Sequence, residues 1–144
     1  MKKARTVKSF AQSAFKDANF THLTQSLDML RREIGFHPRH AVLLDNEEWT
    51  NTKTLQTQFG TYCYVAEANP AEANKKTRSM PADAVLFTDY LSNAIGVFPH
   101  PKDFVYLDYC TTLQGNAKSR QKGITPQQDI QRLFEEESLA DTLL

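Results

Sequence analysis

Four carboxylates recur at equivalent places in this sequence. Asp45 closes "RHAVLLD", Glu67 closes "TYCYVAE", Asp89 closes "ADAVLFTD" and Asp108 closes "KDFVYLD". Each follows an apolar run of strand character, where an ionised group is costly unless it is hydrogen-bonded. Asp favours turns, so one such residue is an ordinary strand end. Four in succession, left unpaired, would repel one another, and their recurrence marks them as candidates for a site. Behind Asp108 stand Tyr109, suited to stacking on a planar ring, and Cys110, a thiol with no histidine beside it to activate it. "GNAKSRQKG", which reads as a basic, glycine-bounded loop, then carries Lys118, Arg120 and Lys122, cations that suit phosphate groups. His37 and His40 are three apart in "HPRH", but no further ligand is spaced nearby, so a metal site is not predicted and they read as turn or surface residues, as does His100 in "PHP".

Composition limits what surrounds these groups. A chain of 144 residues, 40% hydrophobic, suits one domain with its own core. Seventeen basic residues balance seventeen acidic ones, so net charge gives no argument for nucleic-acid or membrane binding. The basic residues are uneven: Lys2, Lys3, Arg5 and Lys8 cluster in "MKKARTVKSF" without an acid. Two cysteines, Cys63 and Cys110, make no disulfide framework and read as reduced, partly buried thiols. No run approaches the length of a membrane span and no secretory h-region is present. The expectation is an intracellular, cytoplasmic protein without a membrane role.

The elements that must position the acids follow from periodicity and punctuation. Residues 1–20 read as a basic N-terminal arm, either loose or a short helix, and 21–144 as a single domain. In "THLTQSLDMLRREIG", Leu23, Leu27, Leu30 and Ile34 fall at helical spacing, with Thr21 as cap and Gly35 as stop. "NTKTLQTQFG" reads as a helix closed by Gly60. "NPAEANKKTRSM" opens on a turn signal and continues helix-permissive, and "YLSNAIGVF" as a short helix broken by "PHP". "TPQQDIQRLFEEESLADTLL" is helical, with Thr125 as cap, Pro126 in the first turn, and Ile130, Leu133 and Phe134 as its apolar face. Strands are expected at 41–45, 62–67, 84–88 and 104–108, the first and fourth adjacent. Their continuous apolar runs suit a parallel sheet covered on both faces. The predicted fold is α/β: a doubly wound, mainly parallel sheet of about four strands with helices on both faces. In such sheets ligands bind at the carboxyl edge, near the point where strand order reverses.

With these residues in place, the stretch 41–144 resembles the first half of a class I S-adenosylmethionine-dependent methyltransferase, a Rossmann-like fold. "VLLDNEEW" stands where that family has its cofactor loop, Glu67 where it holds the ribose hydroxyls, Asp89 where it contacts adenine, and "LDYC" where it faces the methyl group and acceptor. The resemblance implies S-adenosylmethionine as cofactor, bound by Asp45, Asn46, Glu67 and Asp89. Asp45 would meet the methionine end, and Asp108 and Tyr109 would orient the acceptor. Lys118, Arg120 and Lys122 would meet a nucleic-acid substrate. Two departures stand out. The first loop, "DNEEWTNTKTLQ", has none of the glycines that let a backbone approach the cofactor closely. The chain also stops near the fourth strand of a sheet that usually has seven. The competing expectation is a non-catalytic Rossmann-like interaction module, its open sheet edge covered by a partner chain or by self-association. A third is a nucleic-acid-binding protein whose carboxylates are structural.

Overall fold

The computed structural model describes residues 14–98, 102–109 and 113–135. The basic cluster at Lys2–Lys8, His100, Cys110 and the "SLADTLL" end lie outside them. Four strands form one all-parallel sheet in the order β3-β2-β1-β4: β1 (His40–Leu43), β2 (Tyr62–Ala66), β3 (Ala84–Phe87) and β4 (Phe104–Tyr106). Val42 pairs with Tyr64 on one side and Val105 on the other, and Val65 pairs with Leu86. The first and fourth strands are neighbours, as expected, and strand order reverses between them. Each ladder ends short of its acid: Glu67 lies one residue beyond its strand, and Asp45, Asp89 and Asp108 two beyond theirs.

Strand alternation divides the core in two. Ala41, Leu43, Cys63, Val65 and Phe104 face a layer formed by α1 (Ala14–Ile34) and α2 (Thr50–Phe59), where Phe20, Leu27, Trp49, Leu55 and Phe59 are buried. Val42, Tyr64, Ala66 and Val105 face the other way, toward Leu91, Ile95, Phe98 and Leu133. Those come from the short helix α4 (Leu91–Ala94), the single 3-10 turn after it, the loop beyond and α6 (Pro126–Glu135). Helices thus cover both faces: this is a Rossmann-like, doubly wound α/β fold. Among the described residues no helix is long and apolar enough to cross a membrane.

Local chemistry fixes several ends. Gly60 ends α2 in the left-handed region, its N–H bonded to the Gln56 carbonyl. Asn69 caps α3 (Pro70–Arg78) by accepting from the Ala71 and Glu72 amides, with Pro70 in the first turn. Thr125 and Gln128 cap α6 reciprocally: Gln128 Oε1 accepts from the Thr125 amide at 2.9 Å, and Thr125 Oγ1 from the Gln128 amide at 3.3 Å.

Four local expectations are refined by the structure. Residues 14–20 are not part of a loose arm: α1 starts by Ala14 and buries Phe20, which meets Tyr106 edge-to-face at 5.2 Å. Thr21 is therefore inside the helix, its hydroxyl bonded to the Asp17 carbonyl rather than capping. "NAKSRQK" is not a loop but holds a short helix, α5 (Ala117–Lys122). In α6, Leu133 is buried, yet Phe134 is 68% exposed, because the stripe that packs inward runs through Pro126, Asp129 and Leu133.

Candidate functional site

A cleft of about 250 Å³ opens at the carboxyl edge of the sheet. Its floor is Leu44, Ala66 and Glu67, the residues that end β1 and β2. Asp89, Tyr90 and Leu91 form one wall, and Tyr109, Ile124, Pro126 and Asp129 the other, with Asn116 at the rim. The volume is at the small end for small-molecule sites, which run on the order of 300–1,000 Å³. The position, over strands either side of the reversal, is where open parallel sheets bind ligands.

Of the acids singled out from the sequence, the fold brings two into this cleft, Glu67 and Asp89, together with Tyr109. Glu67 Oε2 accepts from Lys76 Nζ at 3.2 Å, and that lysine side chain is only 5% exposed. A cation so buried needs its partner. Among the described residues no hydrogen bond is made to the other oxygen, Oε1. Asp89 is exposed, and its Oδ1 accepts from the Tyr90 amide at 2.7 Å and the Asn93 side chain at 3.1 Å. Those two bonds, the Asn93 one foremost, hold its carboxyl below the usual range.

The other predicted residues lie elsewhere. The Asp45 carboxylate turns back onto α2: Oδ2 accepts from the Thr52 amide at 2.7 Å, and Oδ1 from the Asn46 amide at 2.8 Å and the Asn51 amide at 3.3 Å. The start of a helix is a ready-made anion site, and here the chain's own carboxylate fills it. Asn46 Oδ1 accepts from the Glu48 and Thr50 amides in the same turn. Where a cofactor loop would carry glycine, Trp49 adopts φ 58° and is fully buried, its indole N–H donating to the Lys76 carbonyl at 3.0 Å. Left-handed backbone at a bulky residue costs about 1–2 kcal/mol, and burial of the indole offsets it. Asp108 pairs with Lys16 of α1 at 2.7 Å, so it fastens that helix to the end of β4. Lys118 and Lys122 are exposed on α5, and Arg120 bonds the Gly115 carbonyl at 3.1 Å.

The residue missed from the sequence is Asp129. It is 7% exposed, in the first turn of α6, and accepts a hydrogen bond from the Tyr109 hydroxyl on Oδ2. Its Oδ1 is buried without a hydrogen-bond partner. Burial raises its carboxyl, opposed first by the Tyr109 hydroxyl and then by the Ser92 backbone and hydroxyl, which lie against the carboxylate. Burial, and then the Asp129 carboxylate, drives the Tyr109 phenol far above its ordinary value, so the hydroxyl remains a donor. One signal was available: Asp129 stands four residues before Leu133, on the buried stripe of α6.

No protein-family model matches the chain, and no curated protein matches its sequence.

Proposed function

We propose that the chain is a methyltransferase-like domain that binds S-adenosylmethionine in this cleft. The observation that carries the proposal is the charge of the lining: Glu67, Asp89 and Asp129 contribute three carboxylates, with no lysine, arginine or histidine among the described residues that line it. Such a site favours a cation and disfavours phosphate. The start of α2, where a dinucleotide would place its phosphates, is occupied by Asp45, and a second anion there would meet like charge. S-adenosylmethionine carries a sulfonium and an ammonium group and no phosphate.

In this proposal Glu67 Oε1 accepts from a ribose hydroxyl, while Lys76, bonded to the other oxygen, orients the carboxylate. Leu44, Ala66 and Leu91 supply apolar floor and wall. Tyr109, fixed by Asp129, narrows the cleft on the β4 side, where an acceptor would approach. The cofactor supplies an activated methyl group, and the protein's contribution is alignment rather than covalent chemistry. A nucleic-acid acceptor is supported by α5, which presents Lys118 and Lys122 between two residues that line the cleft, Asn116 and Ile124.

Isothermal titration with S-adenosylmethionine, S-adenosylhomocysteine and NAD tests the reading. Binding is expected for the first two, tighter for the charged sulfonium, and weakest for NAD. Glu67→Gln weakens binding roughly tenfold, a loss of about 1.4 kcal/mol. Gln is the informative change because its carbonyl still accepts from Lys76, whereas Ala would strand that buried cation. NAD binding more tightly than S-adenosylmethionine, or no heat from either sulfur ligand at millimolar concentration, overturns the proposal.

A second reading rests on the sheet edge. β4 ends the sheet at only three residues, and Val97 and Phe134 are exposed on the helical layer over the same face as Val105. A partner chain or a second copy would cover that edge. Sedimentation of the ligand-free protein as a monomer at all concentrations would remove self-association.

A further inference from the structure

Residues 114–126 loop out beside the cleft, and the ends of the loop are drawn together: the Gln127 amide donates to the Leu113 carbonyl at 2.9 Å. Compact surface loops whose ends meet in this way are frequently functional. This one holds α5, a helix of six residues. So short a helix is marginal without packing, and Ala117, Lys118, Arg120, Gln121 and Lys122 are all exposed. Arg120 ties the loop to itself. Its amide donates to the Asn116 carbonyl at 3.0 Å and its guanidinium to the Gly115 carbonyl at 3.1 Å, while its carbonyl accepts from the Gly123 amide at 3.2 Å. Gly115 and Gly123 flank the helix, both in the left-handed region, at φ 68° and 66°, where a side chain is disfavoured. A unit bonded internally, with exposed side chains and a glycine at each end, sits at the low-stability end of a fold.

We propose that residues 116–122 are a flap that swings about Gly115 and Gly123 to admit a small molecule to the cleft, then closes over it with Asn116 against the ligand. The inference rests on the cofactor reading of the cleft. Asn116 and Ile124, on either side of the helix, both line the cleft. The rest of the lining is held more firmly. The Leu44 amide bonds the Tyr106 carbonyl at 3.2 Å, the Glu67 amide bonds the Phe87 carbonyl at 2.9 Å, and Asp129 is buried against Tyr109. The volume, about 250 Å³, falls just below the roughly 300–1,000 Å³ of small-molecule sites. A ligand of nucleoside size therefore needs one wall to yield, and the α5 segment is the one built to do so. Closure then sheds water from the bound ligand.

Limited trypsin digestion read by mass spectrometry tests this, because the flap offers cleavage after Lys118, Arg120 and Lys122. Where opening is fast, cleavage follows the population of the open form. In the ligand-free protein these cuts are expected at least about tenfold faster than cuts after Lys75 or Arg78, which are equally exposed but lie on the packed helix α3. S-adenosylmethionine, at a concentration that titration shows to fill the site, is expected to slow the flap cuts about tenfold or more. Flap cuts no faster than those on α3 overturn the inference. Unchanged flap cleavage with the site filled also overturns it, while leaving the cofactor reading intact. Binding of neither S-adenosylmethionine nor S-adenosylhomocysteine overturns both. Gly123→Ala gives a second measurement. Its new methyl meets only an ordinary contact, Gln128 Nε2 at 3.7 Å, so the backbone conformation carries the cost. Affinity for S-adenosylmethionine is expected to fall severalfold with the urea midpoint unchanged. A lower midpoint with unchanged affinity would place the segment in the cooperative core and overturn the flap.

Discussion

Replacing Asp45 with alanine separates a structural carboxylate from a ligand-binding one. Three backbone amides converge on it, but they are unequal. The Thr52 amide, at 2.7 Å, belongs to a fully buried residue and gains no water when the carboxylate is removed. The Asn46 amide, at 2.8 Å, belongs to a half-buried residue that water can reach, and the Asn51 contact is longer at 3.3 Å. The dominant loss is therefore one buried donor left unpaired, about 1–3 kcal/mol. Removal of a negative charge from the start of α2 adds roughly 0.3–1 kcal/mol. The sum, about 1.3–4 kcal/mol, corresponds to a fall in melting temperature of roughly 3–16 °C for a domain of this size. Asp45→Asn keeps an acceptor for Thr52 and loses the charge, so it should cost about 1 kcal/mol. Thermal or urea denaturation followed by circular dichroism gives both values, and titration with S-adenosylmethionine gives the affinity of the same variants. Stability is expected to fall while affinity stays within about threefold. An unchanged melting temperature with a tenfold loss of affinity would refute the assignment and return Asp45 to the ligand.

Two further outcomes follow from the same face of the sheet. Trp49→Phe keeps most of the buried ring but removes the indole N–H from the Lys76 carbonyl. The midpoint in urea should drop by an amount equivalent to about 1–3 kcal/mol, and an unchanged midpoint would show that the bond contributes nothing. Cys63 is fully buried, and burial, reinforced by the nearby Asp45 carboxylate, pushes its thiol from 9.0 up to about 12. It should resist iodoacetamide at pH 8 until the protein is unfolded. The unfolded chain releases this proton first, so the contribution of Cys63 to stability is complete below about pH 9 and is lost as pH rises toward about 12. Rapid alkylation of the folded protein, or stability that climbs through that alkaline range, would contradict the burial argument.

The sequence by itself determined the elements and their order. Apolar runs bounded by turn residues marked four strands. Gly60, and Thr125 before Pro126, marked ends that the backbone adopts. Such signals are local, so a few neighbouring residues suffice to set them. The parallel sheet was legible because strands alternating with helices and apolar on both faces leave few other arrangements. Only the tertiary structure decided what each acid does. Asp45, Asp89 and Asp108 all stand two residues past a strand, yet one turns to α2, one to its own helix start and one to Lys16 on α1. Equivalent positions in sequence meet different neighbours, because each strand end is covered by a different helix. Trp49 took the place expected of a glycine because a large apolar group was needed beneath α3, a contact spanning 27 residues. Asp129 joined Tyr109 across 20 residues, when α6 packed against the sheet and carried a carboxylate on its buried stripe into the cleft. Contacts of that range depend on how helices dock, and no local pattern of residues contains them.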